Sequence, residues 1–202
     1  MTMRSTGVVR APGEPAVMPR RGAVDNAAFG MALFVFTEVM LFAGFVSAYG
    51  IVRGTALPGA WPPPGQPRLP IERTALNTAA LLASGVALVI AGRRWRGGGA
   101  QAARGWMTAA LVLGAYFVLA QGAEWVALVG QGFTLSSSQL GSFFYTIVGA
   151  HALHAVVALL LLALAWNSMR TGGLRESRFT AARIFWYFVV LVWPLLYWRV
   201  YL

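Results

Sequence analysis

Long apolar stretches alternate along this chain with short polar breaks. Five stretches stand out, at about 28–52, 71–91, 106–129, 140–167 and 184–202. Each has roughly the 20 residues a helix needs to cross a hydrocarbon core. The pattern predicts an all-α protein: a bundle of five transmembrane helices over residues 28–202, preceded by a tail at 1–27. The fourth stretch, at about 28 residues and 1.5 Å per residue, comes to near 42 Å, so it should tilt or project beyond the hydrocarbon.

The breaks carry their own information. Residues 57–70 read LPGAWPPPGQPRLP, with too many prolines for helix or central strand, and predict a stiff connector at the membrane surface with Trp61 as an interfacial anchor. The second stretch stops at Arg93, Arg94 and Arg96 followed by Gly97-Gly98-Gly99, and the break at 130–139 has no charge. The tail holds Arg4, Arg10, Arg20 and Arg21 among Pro and Gly, without the apolar core of a cleavable signal, and reads as extended or disordered. Most arginines fall in the tail and in the breaks at 92–105 and 168–183. Cytoplasmic loops collect Arg, so the N-terminus is expected inside and the C-terminus in the periplasm.

Composition sharpens this picture. Of the 202 residues, 58% are hydrophobic and 11% charged, against roughly 25% charged in ordinary soluble domains. The net charge of +10 does not point to nucleic acid, because the basic residues flank the apolar stretches and form no basic soluble domain. Cys is absent, which removes disulfides and thiolate metal sites.

Within the stretches, small residues predict helix contacts: Gly44 and Ala48 on the first, and Asn77, Ala80, Ser84, Ala87 and Ala91 on the second. On the third, Gly114, Gln121 and Glu124 share a face. The aromatics of the fifth, Phe185, Trp186, Tyr187, Phe188, Trp193, Tyr197, Trp198 and Tyr201, read as a lipid-facing and interfacial belt, with Pro194 as a kink.

Away from the ends of the apolar stretches lie four ionisable residues: Glu38, Glu124, His151 and His154. Such groups are costly in lipid and mark functional sites or inter-helix bonds. His151 and His154 are three apart, on one helix face. Two histidines so placed cannot alone grip both faces of a haem, and the Glu-x-x-His pairs of a bundle di-metal site are missing. No metal is expected here; a hydrogen-bonded pair that links helices or meets a lipid headgroup is the reading preferred.

Three fragments, in order, resemble subunit III of the haem-copper terminal oxidases. GMALFVFTEVMLFAGFVSAY at 30–49 is similar to a family helix with a buried glutamate. LGAYFVLAQGAEW at 113–125 matches a Gln-x-x-Glu-aromatic pattern, and GSFFYTIVGAHALHAVVALLLL at 141–162 carries Gly-x-His-x-Leu-His. The resemblance runs from about Gly30 to the C-terminus and looks like a short, five-span bacterial form. It departs in the last helix, where Tyr187 and Val190 stand at the family's His and Asp.

The resemblance implies an accessory, non-redox subunit of a proton-pumping cytochrome c or quinol oxidase in a bacterial inner membrane, serving aerobic respiration. Such a subunit has no catalytic residue of its own. Haem and copper belong to partner subunits I and II, against which it packs. It holds phospholipid and supports proton uptake and durability in turnover, with Glu38, Glu124, His151 and His154 in lipid or inter-helix contacts. The competing readings are a stand-alone proton or small-solute transporter using Glu38 and Glu124, and an oxidase assembly factor.

Overall fold

A computed structural model describes residues 26–57, 61–63 and 65–202. The expectation for the tail falls almost wholly outside these residues. Among them the chain forms five helices and no strand: α1 Asn26–Thr55, α2 Ile71–Arg96, α3 Ala100–Gly130, α4 Gln139–Arg170 and α5 Glu176–Tyr201. All five are long and apolar enough to cross a membrane. This is the expected all-α bundle.

The helices outrun the apolar stretches. The break expected at 92–105 shrinks to Gly97–Gly99, because Arg93, Arg94 and Arg96 finish α2 while Arg104 lies in the first turns of α3. Arginine and alanine are good helix formers, so the polar flanks extend the helices beyond the lipid. The turns that remain are glycine stops. Gly98 (φ 77°) and Gly132 (φ 81°) take the left-handed conformation just past α2 and α3. The next amides then turn back, Gly99 N to Arg94 O at 2.9 Å and Phe133 N to Leu128 O at 3.0 Å. Those bonds satisfy carbonyls a helix end leaves open. At the other end of the α3–α4 turn, Ser138 caps α4 by accepting from Gly141 N at 3.0 Å.

α2 and α3 form a closely packed hairpin, α5 packs against α1, α2 and α4, and α4 also meets α3. α5 is the most buried of the five helices. Its aromatics are not a belt: Trp186 and Trp193 are fully buried, and Phe185, Phe188 and Tyr201 are buried too. Only Trp198, at 59% exposure, fits the belt that was expected. The cause is polar as well as steric. Trp186 Nε1 donates to Ser84 Oγ at 3.1 Å, Trp193 Nε1 donates to Thr78 Oγ1 at 2.8 Å, and Tyr197 OH donates to the Ile71 carbonyl at 3.1 Å. An indole N–H without a partner is costly in lipid, and the hydroxyls of α2 supply the partners. Small residues make room for this contact. A Cβ on Gly114 would lie 2.6 Å from the Trp186 ring, and one on Gly85 would lie 2.9 Å from Val190.

The small stripe on α2 is a helix contact, as expected: Asn77, Ser84, Ala87 and Ala91 are buried and Ala80 is half-buried. The pair on α1 is not, within this chain. Gly44 and Ala48 are exposed, and nothing lies within 4 Å of a Cβ on Gly44. Among the described residues α1 has contacts on one side only, with α5 and α4. Trp61 is half-buried and sets its ring edge-on to Tyr49 of α1 at 5.8 Å, which anchors the proline-rich connector to the bundle.

Candidate functional site

The four ionisable residues do not form one constellation. Glu124 belongs to a network joining α2, α3 and α5. Its Oε2 accepts from Thr74 Oγ1 at 3.0 Å and from Gln121 Nε2 at 3.1 Å, and its Oε1 accepts from Asn77 Nδ2 at 3.1 Å. Gln121 Nε2 also donates to Tyr201 OH at 3.0 Å. Asn77 and Gln121 reach the carboxylate because each sits on the inward face of its helix, three residues from Thr74 and Glu124 respectively.

Glu38 and His154 make the second unit, between α1 and α4. His154 Nε2 lies 2.9 Å from Glu38 Oε2, and its Nδ1 lies 2.7 Å from the Ala150 carbonyl one turn back. A carbonyl only accepts, so Nδ1 carries a hydrogen. The contact between Nε2 and Oε2 then needs exactly one more proton, held by the acid or by the ring. Either way the pair is neutral as a whole, a form compatible with burial in lipid. Both side chains are mostly buried, at 13% and 15% exposure.

His151 stands between the units and bonds to neither. It is buried at 1% exposure, lies 5.0 Å from the Trp193 ring centroid and meets Phe117 edge-on at 6.4 Å. The shared helix face holds, in that Phe42 of α1 touches both imidazoles, at 6.2 Å and 5.5 Å. Beyond that ring the two histidines diverge, His154 toward α1 and His151 toward α3 and α5. Among the described residues no three His, Cys, Asp or Glu side chains converge as a metal site would require.

Thr74, Thr78, Trp193 and Tyr201 are members of this polar interior that sequence reasoning missed. Thr74, Asn77 and Thr78 repeat at three and four residues, which extends the small stripe of α2 by one turn. That signal was available; the bond partners on α5 were not, since nothing local distinguishes a buried Trp from a belt Trp.

The divergent positions of α5 have plain surroundings. Val190 packs on Gly85 of α2. The Tyr187 OH accepts a long bond from Arg183 Nε, at 3.4 Å, and the Arg183 guanidinium lies over the Tyr187 and Phe179 rings. Val190 in an apolar contact and Tyr187 under the Arg183 guanidinium are thus the residues at the two divergent positions.

Fold and site define a class: a multi-pass helical membrane protein whose buried carboxylates tie its own helices together. The family model of cytochrome c oxidase subunit III matches residues 20–202. Cytochrome c oxidase subunit 3 of Oryctolagus cuniculus is 34% identical over 181 residues, covering 86% of this chain and 68% of the relative. The Lemur catta protein of that name is 33% identical over 180 residues, covering 86% and 65%. That of Ovis aries is 33% identical over 180 residues, covering 86% and 68%. The chain spans about two thirds of the length of these relatives. It belongs to the cytochrome c oxidase subunit III family.

Proposed function

We propose that this chain is the accessory, non-redox subunit III of a haem-copper terminal oxidase in a bacterial inner membrane. It packs beside subunits I and II, which hold the haem and copper, and it contributes no group to oxygen reduction. Its work is to steady the catalytic subunit, retain phospholipid and support proton uptake during turnover.

The observation that carries this reading is the use made of the buried carboxylates. Glu38 is bonded to His154 on another helix and Glu124 to Thr74 and Asn77 on another. Groups so engaged fix helix positions. The lipid role draws on two grooves. One, of about 360 Å³, has Arg68, Arg73 and Glu124 with an apolar wall of Leu76, Tyr116 and Leu128. The other, of about 310 Å³, sets Arg178 and Ser168 beside Met31, Leu161 and Leu164. An arginine next to an apolar groove suits a phosphate headgroup and its acyl chain.

The test is to strip the chain from the purified oxidase and follow the remainder. The reduced-minus-oxidised haem spectrum and the initial turnover rate should persist, while inactivation during turnover accelerates and copurified phospholipid falls. Loss of haem absorbance in proportion to the removed chain would contradict a non-redox role.

A further inference from the structure

A cavity of about 150 Å³ opens between α3, α4 and α5. Its lining includes Gln121, Trp125, His151 and Trp193, with Gly122 and Ala152 at the α3–α4 seam. Among the described residues, four buried side-chain polar atoms have no hydrogen-bond partner: Gln121 Oε1, Trp125 Nε1, His151 Nδ1 and His151 Nε2. All four belong to side chains that line this one cavity. Gln121 and His151 are 5% and 1% exposed.

We infer that the cavity is a hydration site, holding a small cluster of water molecules bonded to His151, Gln121 and Trp125. Buried polar atoms in native proteins are almost always bonded, and orphans are costlier still at membrane depth. The inventory suits water: Gln121 Oε1 accepts, Trp125 Nε1 donates, and a neutral imidazole offers one donor and one acceptor. Water brings both functions in each molecule. The volume is that of a few waters, since a water's share of liquid volume is about 30 Å³; bonding them takes a small outward give of the wall, because the four atoms are almost fully enclosed.

Other occupants fit less well. His151 lies well inside the 32-residue α4, away from headgroup level. An acyl chain there would leave all four polar atoms unpaired. The Gln121 amide is already oriented by its neighbours, its nitrogen bonding Glu124 and Tyr201, so its oxygen is the atom left without a partner. Water on that oxygen extends the Glu124 network across the bundle to His151. The extension stops at the Phe42 ring, which separates His151 from the Glu38–His154 pair.

The deciding experiment is a structure of the complex with which this chain copurifies, at a resolution that shows ordered water. Peaks should lie about 2.7–3.2 Å from Gln121 Oε1 and from at least one His151 nitrogen. An acyl chain, a side chain of another subunit or a featureless cavity would overturn the inference. His151→Leu supplies a second reading: it should lose the peaks beside residue 151 while Gln121 keeps one, with no gain in the dissociation temperature. A variant several degrees more heat-stable would mean that the histidine nitrogens had been unpaired, and the inference would fail. Should His151→Leu not assemble, the wild-type map decides alone.

Discussion

Glu38 and Glu124 meet the cost of burial in different ways, and the difference sets what their substitution should do. Glu38 faces a single partner through a shared proton. Glu38→Gln can donate its amide to His154 Nε2 and keep the bond, so the complex should assemble normally. Any lipid or turnover role of the shared proton should then appear as faster loss of activity in sustained turnover. Wild-type lipid content and lifetime in Glu38→Gln would return the pair to helix packing. Glu124 instead accepts from three side chains on two helices, Thr74, Asn77 and Gln121. Glu124→Leu leaves the Asn77 amide without its partner and takes one bond each from Thr74 and Gln121, which keep the Pro70 carbonyl and the Tyr201 OH, at about 1–3 kcal/mol for the unsatisfied buried group. It should therefore destabilise the bundle far more than Glu38→Gln does, as read by thermal unfolding in detergent. Equal melting temperatures for the two variants would show that the Glu124 network contributes little.

At the scale of elements, α5 is held to α2 by hydroxyl partners and seats its Trp186 ring against Gly114 of α3, and each contact can be removed separately. Thr78→Val keeps the shape and orphans the Trp193 indole N–H, so it should cost about 1–3 kcal/mol. Gly114→Ala drives a methyl against the Trp186 ring and should cost about 1–3 kcal/mol by overpacking. Gly105→Ala, where nothing lies within 4 Å, should be neutral or slightly stabilising in the same denaturation series. A Gly114→Ala protein as stable as Gly105→Ala would mean that α5 sits farther from α3 than described. The helices themselves were legible in the sequence, because apolar length alone specifies a span. So was the common face of Gly114, Gln121 and Glu124, which follows from spacing. The order of packing was not legible. Trp186 and Trp193 read as belt, because nothing local separates a belt Trp from a buried one, and only the hydroxyls of α2 resolve them. Gly44 and Ala48 gave the same small-residue signal as the buried stripe on α2, yet among the described residues no helix covers them. The site was half legible for the same reason: sequence spacing placed His151 beside His154, but their partners come from three other helices, α1, α3 and α5.

For the whole molecule, the distribution of arginine predicts an orientation, and the natural absence of Cys makes it simple to check. Ser136→Cys, in the α3–α4 turn, should react with an impermeant maleimide on intact spheroplasts. Gln101→Cys, at the start of α3, should react only after permeabilisation. The reverse pattern would invert the bundle. The central claim concerns what the molecule is part of, since the family, the self-paired carboxylates and the one-sided contacts of α1 among the described residues all describe one subunit of a larger complex. A mild-detergent pull-down of the tagged chain from its native membranes tests it most directly, with a reduced-minus-oxidised spectrum and a mass-spectrometric subunit inventory of the eluate. Haem bands together with the two larger oxidase subunits are the predicted result. A colourless chain without partners, able to move protons or solute in liposomes, would contradict the account.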